Sequence, residues 1–175
     1  MTLSPSSIQM EFSAAFVDEW VRSGVRHAVI APGSRSSALA LALLTDARID
    51  VSMRLDERSA AFFALGIALS TMTPVVMLTT SGTAAAEVHA AVIESDLAQV
   101  PLIIATADRP VELHDVHAPQ TVRQSNLFAN ALRYFLDLAV PSEETRPYWR
   151  SFASRLVAEA TKGAKGAGPV QVNIA

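Results

Sequence analysis

Glu57 follows the alternating stretch Ile49-Asp-Val-Ser-Met-Arg-Leu55, which reads as a strand, and opens the apolar run Ser59-Ala-Ala-Phe-Phe-Ala-Leu-Gly-Ile-Ala-Leu69, which reads as a helix. An acid at the carboxyl end of a strand, on the first turn of a helix, faces the crevice where open α/β sheets bind ligands. The same position also suits the helix dipole, and the pair Asp56-Glu57 serves that purpose without any chemistry. Ala31-Pro-Gly-Ser-Arg-Ser-Ser37 has a related layout. Gly33 permits a tight turn, Ser34, Ser36 and Ser37 place hydroxyls at a helix N-terminus where anions bind, and Arg35 adds a planar fork matched to a carboxylate. A capped turn with a solvated arginine is the plainer alternative. Thr79-Thr-Ser-Gly-Thr83 repeats the design, and Thr106-Ala-Asp-Arg-Pro110 brings Arg109 to a fourth strand end, where Asp108 can simply pair with it. His114 and His117 are spaced like metal ligands, but no third ligand stands nearby, so no metal site is assigned. The nucleophile elbow G-x-S-x-G, the P-loop and G-x-G-x-x-G are all absent.

These segments need strands and helices to position them. Phe12, Phe16, Val17, Trp20 and Val21 recur at helical spacing after the cap candidates Ser6 and Ser7, and Gly24 stops that helix. Six strands are expected at 27–31, 49–55, 74–80, 101–106, 135–140 and 169–174, with helices at 37–47, 58–71, 83–95 and 147–162. Short apolar strands alternating with helices predict an α/β fold, a three-layer αβα sandwich around a mostly parallel six-stranded sheet. Residues 109–125 are the polar exception, a long loop with little periodicity of the kind that often carries function. Residues 162–168, rich in glycine, read as a flexible connector to the last strand.

At 175 residues the chain fits one domain. Half of its residues are hydrophobic and 18% are charged, with mean hydropathy +0.29, which suits strands covered on both faces and a surface meant for a partner. No apolar run reaches the roughly 20 residues of a membrane span, and the amino terminus lacks signal-peptide character. The absence of cysteine excludes disulfides and thiolate chemistry and suits a reducing cytoplasm. A net charge of −3 without a basic stripe argues against nucleic acid as a partner.

Taken together, A-P-G-S-R-S at 31–36, D-E-R-S-A at 56–60, T-S-G-T-A at 80–84, T-A-D-R-P at 106–110 and A-P-Q-T-V-R-Q at 118–124 resemble one family over nearly the whole chain. It is the N-terminal pyrimidine-binding domain of the thiamine-diphosphate synthases of menaquinone synthesis, the 2-succinyl-5-enolpyruvyl-6-hydroxy-3-cyclohexene-1-carboxylate synthase (MenD) family. D-E-R-S-A alone suggests only a thiamine-diphosphate enzyme; the other motifs are more specific. The resemblance implies a transferase (carboligase) that decarboxylates 2-oxoglutarate and adds the product carbanion to isochorismate. It implies that Glu57 is catalytic, bonding N1′ of the cofactor's aminopyrimidine, and that Thr80, Ser81, Gly82 and Thr83 face the cofactor. Ser34, Arg35, Arg109 and Gln120 match residues that hold substrate, and two arginines suit two dicarboxylates. His117 departs from the pattern, standing where a glycine is usual. The cofactor's diphosphate and Mg²⁺ are expected in a separate C-terminal domain, with a central domain between, so residues 1–175 alone are expected to fold, to be inactive, and to self-associate or expose an apolar face, the protein being a homodimer or homotetramer. The alternatives are a decarboxylase or carboligase of the acetolactate-synthase type and a stand-alone, non-catalytic binding module.

Overall fold

The computed structural model describes residues 4–175. Six strands, β1 (His27–Ile30), β2 (Asp50–Met53), β3 (Val75–Thr79), β4 (Leu102–Ala107), β5 (Tyr134–Leu138) and β6 (Pro169–Ile174), form one sheet in the order β2-β1-β3-β4-β6-β5. Every pairing is parallel. Burial along the strands follows that order. The central β3 and β4 are buried at every residue, whereas the edge strands β2 and β5 keep part of each residue in solvent. Parallel strands covered on both faces must be apolar throughout, which is why Val-Val-Met-Leu and Leu-Ile-Ile-Ala carry no alternation.

The helices are α1 (Pro5–Arg22), α2 (Ser37–Thr45), α3 (Glu57–Thr71), α4 (Thr83–Glu87), α5 (His89–Leu97) and α6 (Trp149–Lys162). Helices α1, α2 and α6 share one core with Ala28, Ile30, Val76, Leu78, Ile103 and Ala105. That core is anchored by an aromatic chain: Phe12 meets Phe16 at 4.4 Å, Phe16 meets Trp20 edge-on at 5.5 Å, and Phe12 meets Trp149 edge-on at 5.4 Å. Helices α3 and α5 cover the opposite face over Val29, Val75, Met77, Leu102 and Ile104. No helix of the described residues is long and apolar enough to cross a membrane.

Local signals set the helix limits, with three departures from expectation. The N-cap of α1 is Ser4, not Ser6 or Ser7; its hydroxyl accepts from the Ser7 N–H, and Pro5 takes the first helical position, where a missing N–H costs nothing. The stretch expected as one helix over 83–95 is two, broken at Val88, where Val88 is fully buried and His89 meets Phe128 edge-on at 5.4 Å. The 163–168 connector is tied down rather than loose: Arg133 donates to the carbonyls of Gly166 and Ala167 and pairs with Asp96.

The strand order reverses between β1 and β3. The β1–α2 connection leads to one side and everything after β3 to the other, so the carboxyl ends of these two strands open a crevice. Beyond β4 the chain passes over to the edge strand β5 and returns to place β6 between β4 and β5. The connection from β4 to β5, residues 108–133, contains only two short 3₁₀ turns, and it packs Phe128 and Leu132 onto the core where a crossover helix would lie.

On the outer surface Arg48 donates to Asp46 and Asp18, and Arg150 donates to Asp18 and Glu19, tying α1 to α6 and to the α2–β2 turn. Hydrogen bonds from Arg48 and then Arg150 hold the Asp18 carboxyl below its ordinary 3.8, and Arg48 does the same for Asp46. Carboxyls depressed in the folded state contribute stability above the ordinary value and lose it as pH falls through the lowered one. Unfolding followed against pH is therefore expected to show Arg48→Met less stable than the parent at pH 6, with the gap closing below about pH 4 and narrowing in 1 M salt. A gap that is constant across pH would place the effect of Arg48 outside these ion pairs.

Candidate active site

The site is built from four strand ends and the crossover that covers them. At the end of β2, Asp56 caps α3, its carboxylate accepting the Ser59 N–H at 2.7 Å. The capping role is thus filled by the neighbour of Glu57. Glu57 itself is half-buried on the first turn, and its carboxylate has no hydrogen-bond or ion-pair partner among the described residues.

At the end of β1 the chain turns through residues 31–36. Ser36 and Ser37 donate their hydroxyls back to the Gly33 carbonyl at 3.0 and 3.3 Å and are consumed by the turn itself, which leaves Ser34 exposed. Gly33 has an extended backbone, so its need for glycine is steric: a Cβ there would lie 2.3 Å from Thr80 Cβ. The turns after β1 and β3 are in contact because a glycine separates them.

The turn after β3 is enclosed at Thr80, Ser81 and Gly82 and exposed at Thr83. The crossover holds it. Gln120 Nε2 donates to the Ser81 carbonyl at 2.9 Å, the Ser81 hydroxyl donates to the Gln120 carbonyl at 3.2 Å, and the Gly82 N–H donates to Gln124 Oε1 at 2.7 Å. Gly82 has φ +84, and a Cβ would also meet Gln120 Cγ at 2.8 Å, so both conformation and space require glycine. Arg109, at the end of β4, donates to the Pro119 carbonyl at 3.1 Å and closes the base of the same loop.

The predicted residues fall into two groups. Gly33, Thr80, Ser81, Gly82 and Gln120 are in mutual contact. The two arginines are not: Arg35 lines a narrow crevice with Gln9, Ser13 and Ile174, and Arg109 lines a cavity of about 410 Å³ with Asp108, His114, Ser125, Asp137 and Asn173. Both hollows adjoin the ends of β4 and β6, and neither is lined by Glu57 or Thr80–Thr83. His114 is engaged with the Arg109 carbonyl at 2.9 Å and lies 3.7 Å from Asp108, while His117 is exposed. No group of three or more His, Asp or Glu side chains among the described residues comes together as a metal site. His117 has φ +56, the left-handed region where glycine is at ease.

The spacing of the motifs hides one set of polar residues, a row on the sheet itself. Thr79, Thr106, Asn173 and Asp137 are register partners on adjacent strands, and the first three are buried. Asn173 accepts from Thr106 and Gln124 and donates to Asp108 and Asp137, each within 2.8–3.0 Å. Asp108 does not form the expected pair with the Arg109 guanidinium, which donates to Pro119 instead; its carboxylate accepts the Arg109 backbone N–H and the Asn173 amide, and it is 2% exposed. Polar residues closing four strand motifs are a signal, but only the register shows that they share one level.

Residues 10–127 match the sequence profile described as thiamine pyrophosphate enzyme, N-terminal TPP binding domain. Among curated proteins, the chain is 50% identical over 161 residues to a 2-succinyl-5-enolpyruvyl-6-hydroxy-3-cyclohexene-1-carboxylate synthase of Thermobifida fusca, covering 91% of this chain and 29% of that protein. It is 47% identical over 165 residues to the enzyme of that name from Bacillus velezensis, and 49% over 165 residues to that from Geobacillus thermodenitrificans. Each of these two alignments covers 93% of this chain and 28% of the relative. The chain therefore spans under a third of the length of these relatives.

The Gly33–Thr80 contact has a measurable consequence. Gly33→Ala is expected to lower stability by about 1–3 kcal/mol, because the added methyl meets a β-carbon that cannot rotate away. Chemical denaturation reads this directly; a variant as stable as the parent would show that the two turns can separate at no cost.

Proposed function

The chain belongs to the thiamine pyrophosphate enzyme family, as its N-terminal TPP binding domain, and from that premise we propose that residues 1–175 are the pyrimidine-binding domain of a synthase that decarboxylates 2-oxoglutarate and adds the product carbanion to isochorismate in menaquinone synthesis. The likeness of 47–50% over more than nine-tenths of the chain to synthases of one name supports that choice over an acetolactate-synthase type. The observation that carries the catalytic reading is Glu57, an acid at a strand's carboxyl end, relieved of capping by Asp56 and without a hydrogen-bond or ion-pair partner among the described residues.

The donor set fits the pyrimidine half of the cofactor. When bound, thiamine diphosphate supplies the carbanion chemistry, and the protein supplies orientation and charge. Glu57 holds and shares a proton at N1′ of the aminopyrimidine, acting as a general acid–base group. Residues 80–83 form the wall beside it, held to the crossover by Gln120 and Gln124. Ser34, Arg35, Arg109 and Gln120 bind the carboxylate substrates, the arginines offering forked donors. Gln120 already spends one N–H on Ser81, so its amide oxygen and second N–H are what it has to offer. Mg²⁺ and the diphosphate are assigned to no residue of this chain but to a separate domain, as the difference in length from the relatives allows.

In the full native protein, Glu57→Gln is expected to lower kcat about 10²–10⁴-fold with an unchanged unfolding midpoint. Activity within about twofold of the parent would remove Glu57 from the mechanism. The same assay sorts the arginines: Arg35→Ala and Arg109→Ala should raise KM for the carboxylate substrates while leaving half-saturation by thiamine diphosphate nearly unchanged. A loss confined to cofactor affinity would assign them to the other ligand.

We further assign the exposed apolar side chains Leu55, on the β2–α3 connection beside Glu57, and Phe62, Phe63 and Leu69, further along α3, to contact with a second copy of the full protein. Leu55 is 87% exposed, and two adjacent phenylalanines on an open helix are unusual for a free surface. Light scattering on the full protein is expected to report at least a dimer, which Phe62→Glu with Phe63→Glu dissociates. A strict monomer would refute the assignment.

A further inference from the structure

Gln124 is fully buried, and every polar atom of its side chain is engaged. Its Nε2 donates to the Ala107 carbonyl at 2.9 Å and to Asn173 Oδ1 at 2.8 Å, and its Oε1 accepts the Gly82 N–H at 2.7 Å. Asn173 explains why the amide points this way. Its Nδ2 lies between Asp108 Oδ2 and Asp137 Oδ1, both acceptors, so its oxygen must face Gln124. Gln124 must then present nitrogen to Asn173 and oxygen to Gly82. Polarity set by two carboxylates at the β4 and β5 ends therefore passes through two carboxamides to one backbone N–H in the turn after β3.

That N–H belongs to the Ser81–Gly82 peptide, whose carbonyl accepts from Gln120 Nε2. In a trans peptide the C=O and N–H point in opposite directions. The peptide is thus gripped at both ends by glutamines four residues apart on one loop. Rotating it breaks both bonds at once and moves the Gln120 side chain with the turn. We propose that Gln124 is a positioning residue, which fixes the 80–83 turn against the cofactor and Gln120 against substrate without touching either. This rests on the reading above that the turn and Gln120 face those ligands.

The test uses the full native protein with thiamine diphosphate, Mg²⁺, 2-oxoglutarate and isochorismate. Gln124→Met preserves length but cannot hold the Gly82 N–H. A displaced turn of about 1 Å corresponds to a loss of about 10²-fold in kcat/KM, with half-saturating thiamine diphosphate also raised. Gln124→Glu still accepts from Gly82, but it faces Asn173 Oδ1 and the Ala107 carbonyl as a third acceptor until it is protonated. Its kcat/KM, divided by that of the parent at the same pH, is expected to climb as pH falls from about 8 to about 6, since burial favours the protonated acid. Asp108, Asp137 and His114, the titratable groups nearest this network, are present in both proteins, so the ratio reads the added carboxyl together with its coupling to them. Parent-like kcat/KM in Gln124→Met, with only a lower unfolding midpoint, makes Gln124 a stabiliser and overturns the proposal. A flat pH ratio for Gln124→Glu overturns it as well, and decides alone if the methionine variant does not fold. Glu57→Gln run in parallel separates the two readings. Full activity there refutes the cofactor assignment, whereas its loss beside parent-like Gln124→Met kinetics refutes only the positioning role.

Discussion

A parallel sheet ends in peptide groups that have no ladder partner, and burying those ends under a loop is costly unless something replaces the lost bonds. Here the replacements are two carboxamides. Asn173 rises from β6 and Gln124 descends from the crossover, and between them they satisfy the Ala107 carbonyl, the Gly82 N–H, the Thr106 hydroxyl and two aspartates. Each amide carries donors at one end and an acceptor at the other, so the network runs in one direction only. The whole carboxyl edge of the sheet inherits that direction.

This arrangement divides the molecule by chemistry. Toward the amino ends of the strands the interior is aliphatic and aromatic, and packing there tolerates exchange among residues of similar volume. Toward the carboxyl ends it is polar, with Thr79, Thr106, Gln171 and Asn173 buried on one face. Polar interiors tolerate far less, because a partner removed leaves the remaining group unsatisfied. The two glycines at this edge add a second restriction. Gly33 lets two turns touch, and Gly82 lets one of them adopt a backbone that other residues resist.

Much of this was legible in the sequence. The six strands lie where hydrophobic runs bounded by Pro, Gly and Ser place them, and the helices between most of them point to parallel pairing. The strand order was not legible, because it depends on which face each helix covers. The cap of α1 lies two to three residues before the serines that the periodicity favours, since three serines and a proline within seven positions offer several starts and only Pro5 decides among them. The break at Val88 was hidden by uniform alanine and valine composition. At the site, Glu57, the 31–36 turn and the 80–83 turn stood out as short motifs at strand ends. Gln124 closes the 118–124 motif, but its role is not legible there, because it depends on residues 42 and 49 positions away in the chain.

The crossover from β4 to β5 contains no glycine, yet five of its residues, Asp115, His117, Gln120, Asn126 and Ala129, hold left-handed backbone angles. Such angles cost a side-chain-bearing residue about 1 kcal/mol or more each, and they persist only where neighbouring contacts enforce them. Glycines would relieve that strain and leave a segment with many shapes. Written with full side chains, the segment has few shapes to choose from, in the free protein as well as in a complex. If Gln120 binds substrate as proposed, the contact is already arranged, and the affinity is not reduced by the entropy of ordering 26 residues on arrival.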